Sequence, residues 1–437
     1  MLLNFSLSNY RSFADTLQFS MLRSTSHAAE QSGRTPWKNP EVSAVSAIYG
    51  PNASGKSNFL DALSTVSRLV RRGYRERDAY SSIQYLEPFL LDEESAQSPT
   101  DFLVEFIASD DVRYEYTFTL TKEEVLAEEL VAYYTHQPTR LFWRFVDDEG
   151  KQDIRFGASL KGPKQQPWSI TQDNALFLSV AGGLGKNEEL RWPYLFLAYG
   201  LNKCSSNSRG GIFRAGIMAK RQPAEFAKLS KMIGLADFGI EGVELRQDEV
   251  NQDTEDASEG ESLFWNGFRR RDRTNLVFLH RGPNGVVELP PSRESDGTLS
   301  ALDLFSRAFS VLEDGDVLIV DELDMSLHPT LVREFVSLFA EPETNPLQAQ
   351  LIFTTHDVSL ITVSGESGRV VDRDQVWFCE KDAYGRSELI PATSYSPRKE
   401  ENLGRNYLNG IYGALPHPML QSELPSMLNA HKRSADE

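Results

Sequence analysis

The sequence predicts an α/β fold with a mainly parallel central sheet, to which an antiparallel β subdomain and a helical insertion are added. Two observations carry this. A glycine-rich turn, Gly50-Pro51-Asn52-Ala53-Ser54-Gly55-Lys56-Ser57, separates a strand-like run from a helix-like one. Further along, apolar runs near residues 317, 351 and 375 alternate with helical stretches, the pattern of strands paired in parallel through crossover helices.

The elements follow in order. Leu2 to Leu22 alternates apolar and polar residues around Asn9-Tyr10-Arg11-Ser12-Phe13, which predicts a hairpin or a pair of strands. Residues 24–41 are polar, contain Gly33, Pro36 and Pro40, and predict a loop. Val42 to Tyr49 is apolar enough for a buried strand. After the glycine turn, Phe59, Leu60, Leu63, Val66 and Val70 recur at helical spacing. Strand, turn and helix together are the setting in which G-x-x-x-x-G-K-[ST] cradles a polyphosphate. Its glycines let backbone N–H groups curl around the anion, and the helix N-terminus adds partial positive charge. Lys56 is expected to reach the β and γ phosphates, and Ser57 to ligate Mg²⁺. The plainer alternative is a chance Gly/Ser turn.

From Ile83 to about Val146 the runs Pro88 to Leu91, Phe102 to Ile107 and Val112 to Leu120 show period-two alternation. They predict an antiparallel sheet beside the phosphate loop. Leu190, Tyr194, Leu195, Phe213, Phe226, Leu229 and Ile233 then mark a helical insertion without heptads, so no long coiled coil is expected. Gln247 to Ser262 reads as an acidic loop. Strand signal returns with Asn275 to His280 and Gly285 to Leu289. The expected units are therefore 1–184, 185–273, 274–395 and a tail, 396–437.

Bulk properties narrow the classes. The 437 residues suit two to three units, or one large α/β domain with insertions, and 40% apolar content suits a sizeable core. Runs such as Val317 to Val320 are too short to span a bilayer. Met1 to Phe5 carries no basic, apolar secretory pattern, and Cys204 and Cys379 are the two cysteines, so a reducing cytoplasm is expected. A net charge of −18 disfavours non-specific nucleic-acid binding. Two basic groups stand against that average: Arg68, Arg71, Arg72, Arg75 and Arg77, and Arg269, Arg270, Arg271 and Arg273. They suit phosphate backbones or an acidic partner, or else a solvated surface with local ion pairs.

The second half supplies chemistry. Val317-Leu318-Ile319-Val320 ends in Asp321-Glu322. A central strand ending beside the phosphate loop would set Asp321 near Mg²⁺ through water, and Glu322 where it polarises an attacking water as general base. Acids at an exposed strand end are the alternative. Leu351 to Asp357 reads as another strand, with His356 at the same sheet edge, in reach of the γ phosphate or that water. In Glu294-Ser295-Asp296-Gly297-Thr298, the Ser-x-Gly at a helix start offers Ser295 Oγ and free N–H groups to phosphate oxygens, or simply caps the helix.

In this order the pieces resemble the ATP-binding-cassette ATPases of the SMC and recombination type, which implies a P-loop NTPase of ABC/SMC type. The resemblance makes Gly50 to Ser57, with Asn58 behind it, the Walker A loop and Asp321-Glu322 the Walker B pair. Ser295 to Thr298, with Gly297, takes the signature place, although Ser-Asp-Gly-Thr departs from the transporter-like Ser-Gly-Gly. Asp324 lies in the D-loop and His356 is the switch histidine. Gln84 is the candidate for the Q-loop. In that superfamily the signature motif completes the site of a second protomer, so the implied assembly is a homodimer with two sandwiched ATPs.

A finer resemblance is to bacterial AAA-type ATP-binding proteins of abortive-infection and restriction-linked loci. It rests on Asn9 to Phe13, Gly50 to Ser57, Glu294 to Thr298, Asp321 to Pro329 and Asn406 to Pro416. It implies an ATPase, with ATP and Mg²⁺ as cofactors, that regulates a separately encoded effector, often a Toprim-like nuclease. It also brings Arg11 towards the nucleotide; a surface arginine beside a strand is the alternative. A DNA-repair or recombination clamp is the competing class. A nuclease is disfavoured, because Val376 to Asp382 ends in acids with no Asp-x-Asp after it. Membrane transport is disfavoured too, since neither a spanning segment nor an amphipathic coupling helix is evident.

Overall fold

The computed structural model describes residues 1–23, 39, 41–72, 82–83, 85–205, 210–236, 239–246, 275–325, 327–362, 369–398, 401–416, 419–422 and 424. Residues 24–38 and 40 of the loop expected at 24–41, the acidic loop Gln247 to Ser262, Arg75, Arg77, Arg269 to Arg273, Gln84 and the side chain of Arg72 lie outside this description.

A six-stranded sheet forms the centre. Its strands include β3 (Val45–Tyr49), β9 (Leu201–Ser205), β13 (Val317–Asp321), β14 (Gln350–Thr354), β15 (Val376–Lys381) and β16 (Ser387–Pro391), in the order β16-β15-β3-β14-β13-β9. Every pairing is parallel except the β15–β16 hairpin. All five residues of β3 and of β14 are buried, as strands covered on both faces must be. Ile48, Val317, Ile319 and Ile352 face one core, shared with the buried stripe Phe59, Leu63, Val66 and Val70 of α1 (Lys56–Arg72). Ala47, Leu318, Val320, Leu351 and Phe353 face the other.

The first core is closed by a seven-stranded antiparallel sheet. It holds β1 (Leu2–Ser8), β2 (Leu17–Ser20), β4 (Thr100–Ile107), β5 (Arg113–Leu120), β6 (Val125–Tyr133), β7 (Thr139–Val146) and β8 (Gln152–Phe156), in the order β2-β1-β4-β5-β6-β7-β8. The antiparallel subdomain is thus present, and it takes in the N-terminal hairpin. Buried Gln350 ties the two sheets, since its side-chain oxygen accepts the Leu2 N–H and its amide donates to Leu2 and Ser43 carbonyls. Helices α2 (Phe177–Gly183) and α3 (Glu188–Tyr199) pack beside α1.

Between 185 and 246 the described residues form α3, α4 (Gly211–Arg221) and α5 (Pro223–Leu235). They also contribute β9 to the central sheet and β10 (Ile240–Arg246) to a three-stranded sheet with β11 (Asn275–Gly282) and β12 (Gly285–Leu289). The second core is built by α4, α5, α6 (Asp296–Asp314) and α7 (Pro329–Ala340). Part of the tail packs against the central sheet: Tyr407 and Tyr412 stack on Phe378 of β15, with ring centroids 5.4 and 5.1 Å away. Both cysteines are free and buried. Among the described residues no helix is long and apolar enough to cross a membrane.

Candidate nucleotide-binding site

The glycine-rich turn leaves the carboxyl end of β3 and is pressed against the β15–β16 hairpin. A Cβ on Gly50 (φ +156°) would stand 2.3 Å from the Cys379 carbonyl oxygen, and one on Gly55 (φ +115°) 2.4 Å from Ser387 Oγ. Neither place accepts a side chain. The Ser54 carbonyl accepts hydrogen bonds from Ser387 Oγ (2.6 Å) and Cys379 Sγ (3.4 Å). Ala53 holds a left-handed φ of +62°. Helix α1 starts at Lys56, and the bond from Phe59 N–H to the Gly55 carbonyl (3.0 Å) closes its first turn. First-turn N–H groups have no intrahelical acceptor and suit an anion.

Lys56 folds back over the loop, and its Nζ donates to the carbonyls of Gly50 (2.7 Å) and Pro51 (2.9 Å). Burial pulls its pKa below the ordinary lysine value, while Cys379, Asp321, Glu322 and Asp324 pull the other way.

The acids arrive from β13. Thr354, at the end of the neighbouring β14, links them: its hydroxyl donates to Asp321 Oδ1 (2.7 Å) and accepts the Glu322 N–H (2.7 Å). Glu322 stands in left-handed backbone at φ +53°, a conformation of a kind concentrated at functional sites. Asn52, Ala53, Ser54, Gly55, Lys56, Ser57, Asn58, Asp321, Glu322 and Lys381 line one cleft of ≈ 280 Å³. The loop and the two acids therefore share one cleft. The Ser57 hydroxyl and the Asp321 carboxylate are hard oxygen donors in that cleft, a set that suits Mg²⁺.

The remaining residues sit around this cleft. His356 is exposed at the end of β14 and does not line it; its backbone N–H donates to both Asp324 oxygens, at 3.3 and 3.2 Å. Ser295 caps α6, accepting from Thr298 N–H (3.0 Å) and sharing a hydrogen bond with Thr298 Oγ1 (2.9 Å). It is exposed and lies outside the cleft, and Gly297 follows in the first turn of α6.

Arg11 lines an adjoining cleft, where its guanidinium pairs with Asp61 and with Glu87 (3.1 Å). The turn around it is fitted to one face of α1. Ser12 Oγ accepts from Asn58 Nδ2 (2.8 Å), Arg11 meets Asp61, and Tyr10 Oη lies 3.0 Å from Thr65 Oγ1. Positions 58, 61 and 65 share a helical face. In the first basic group Arg68 lies over the Tyr85 ring at 4.7 Å and donates to Thr65 Oγ1, whereas Arg71 is exposed.

Sequence reasoning passed over three site residues. Thr354 stood inside the strand quoted for His356, Lys381 inside a run weighed for another chemistry, and Ser387 had no local signal at all.

A profile of the family described as "AAA domain, putative AbiEii toxin, Type IV TA system" matches residues 45–181 and 184–362. Among solved structures, the SMC head domain from Thermotoga maritima is 15% identical at TM-score 0.38, the match covering 89% of this chain and 98% of that one. The SmcHead bound to the C-winged helix domain of ScpA is 14% identical at TM-score 0.44, over 89% and 96%. The recombination mediator protein RecF-ATPrS of the RecFOR pathway is 14% identical at TM-score 0.35, over 89% and 98%. No curated protein matches the chain in sequence.

Proposed function

The chain belongs to the AAA domain family whose profile spans residues 45–181 and 184–362, and on that premise we propose that it is an ATP-binding and ATP-hydrolysing switch that dimerises around ATP and regulates a partner effector. In this reading Lys56 and the loop N–H groups hold the β and γ phosphates, and Ser57 with Asp321 holds Mg²⁺. Mg²⁺ favours this arrangement, because it keeps several waters and binds through one or two protein groups plus phosphates. Glu322 takes the proton of the attacking water, with His356 and Asp324 at the same sheet edge to orient the γ phosphate.

The observation that carries the proposal is the split between two sets of groups. The loop and acids share one cleft, while Ser295 caps an exposed helix N-terminus outside it. A second copy offers that end to the γ phosphate, and loss of the phosphate then removes charge-assisted hydrogen bonds across the interface. The toxin and toxin–antitoxin wording of the family description is in keeping with a role in bacterial antiphage defence. A cytoplasmic setting and a separately encoded effector such as a Toprim-like nuclease complete the proposal.

The test is the oligomeric state of purified Glu322→Gln protein with and without MgATP, read by light scattering. An ATP-dependent dimer is expected; a monomer that binds ATP would overturn the switch. Tight, ATP-dependent retention of DNA by the wild-type protein in filter binding would instead assign it to the DNA-clamp class.

A further inference from the structure

The phosphate-loop cleft does not end at its own walls. At ≈ 280 Å³ it falls below the ~300–1,000 Å³ typical of small-molecule sites, so it suits a phosphate tail better than a whole nucleotide. Beside it lies a second cleft of ≈ 380 Å³, lined by Arg11, Ser12, Asn58, Glu87, Gly385 and Lys381 and by the apolar run Pro88 to Leu91. The two share Asn58 and Lys381. These residues mark where a ligand passes from one to the other.

The wall at that junction is built, not incidental. Ser387 N–H donates to the Ser12 carbonyl (2.7 Å) while its hydroxyl holds Ser54, so the β15–β16 hairpin clamps both the N-terminal turn and the phosphate loop. Asp382 Oδ1 accepts the N–H groups of Tyr384 and Arg386, both at 2.8 Å, which fixes the hairpin tip. Leu91 closes over that tip: a Cβ on Gly385 (φ +82°) would meet Leu91 Cδ1 at 2.4 Å. Lys381 stands at the start of this tip and is exposed. Lys203 and Arg11 are both paired with Asp61, whereas Lys381 enters no salt bridge among the described residues.

We propose that Lys381 is a second cationic ligand of the nucleotide, seated where the triphosphate leaves the loop, and that the Pro88–Leu91 cleft takes the nucleoside. This rests on the nucleotide-binding reading above and extends it. The apolar run gives the base a surface to cover, and Arg11, held by Asp61 and Glu87, forms the polar rim.

Calorimetry on the full chain with MgATP and with magnesium tripolyphosphate tests it. Lys381→Ala weakens ATP binding about tenfold, the loss of one partly exposed charge-assisted hydrogen bond, and Lys381→Arg restores it. Leu91→Asp, at a residue 73% exposed, weakens ATP and leaves tripolyphosphate unchanged. Unchanged ATP affinity in Lys381→Ala overturns the role of Lys381. Equal behaviour of the two ligands in Leu91→Asp overturns the nucleoside cleft. Wild-type protein that binds neither ligand overturns the nucleotide reading itself, a result distinct from both.

Discussion

Thr354 donates its hydroxyl proton to Asp321 at 2.7 Å, so one carboxylate oxygen of the strand-end acid is held by the neighbouring strand. The same oxygen of Thr354 accepts the Glu322 N–H. One side chain thereby sets the rotamer of one acid and the backbone of the next.

Thr354→Val keeps the shape and removes both bonds. It leaves a half-buried carboxylate oxygen and a backbone N–H without their protein partner, at a cost of about 1 kcal/mol. Hydrolysis is expected to fall by at least tenfold, with ATP affinity changed far less. Equal losses in kcat and affinity would mean that Thr354 supports the fold and not the acids.

Glu322→Gln removes the proposed base, and hydrolysis is expected to fall by about 10²–10⁴-fold with ATP binding retained. Wild-type turnover in this variant would discard the base. Glu322→Gly separates strain from chemistry. At φ +53° a glycine relieves about 1 kcal/mol of left-handed strain, so this variant should melt higher while losing hydrolysis.

Mixing tests the shared site. Lys56→Ala abolishes nucleotide binding in its own protomer, and Ser295→Tyr blocks the helix end offered to the other. Each variant alone is expected to be inactive, and a mixture should regain part of the wild-type hydrolysis through one intact site per heterodimer. Ser295→Tyr forfeits a cap bond worth roughly 1 kcal/mol, which thermal melting registers separately. A mixture as dead as its components would place the signature residues in their own subunit's site.

A pH-dependent effect is expected far from the site. Burial and nearby Asp314 push the Asp316 carboxyl up to about 6, while the N-terminal ammonium of Met1 and an Asn202 hydrogen bond oppose the rise. A raised carboxyl pKa means that the folded chain binds the proton more tightly than the unfolded one. Stability from Asp316 is thus fully present below its unfolded value of about 3.9 and lost as pH rises through about 6. Asp316→Asn should therefore raise the melting temperature at pH 7.5, and the gain should vanish near pH 4. A gain that persists at pH 4 would point to packing instead.

Local pattern made the core of the site legible. A strand, a glycine turn and a helical stripe fix Lys56 and Ser57 in space, and an apolar run fixes the end at which Asp321 and Glu322 emerge. Strand β9 was not legible, because an edge strand needs no continuous apolar run and Asn202-Lys203 breaks the pattern. Thr354 and Lys381 take their places from sheet order, with β14 and β15 flanking β3, which no local spacing encodes. For Arg11 the sequence left nucleotide and surface open; its pairing with Asp61 and Glu87 depends on a helix and a loop 50 and 76 positions away.

Ser387 grips the phosphate loop from 333 positions downstream of Ser54, and both sheet neighbours of β3 are likewise encoded late. On the ribosome the Gly50–Ser57 segment emerges long before the hairpin that clamps it, and its grip must wait for that hairpin. A nascent or prematurely terminated product ending before the β15–β16 hairpin should thus carry an intact motif and no affinity for nucleotide. Competence for ATP then acts as a built-in check that synthesis has passed the β15–β16 hairpin.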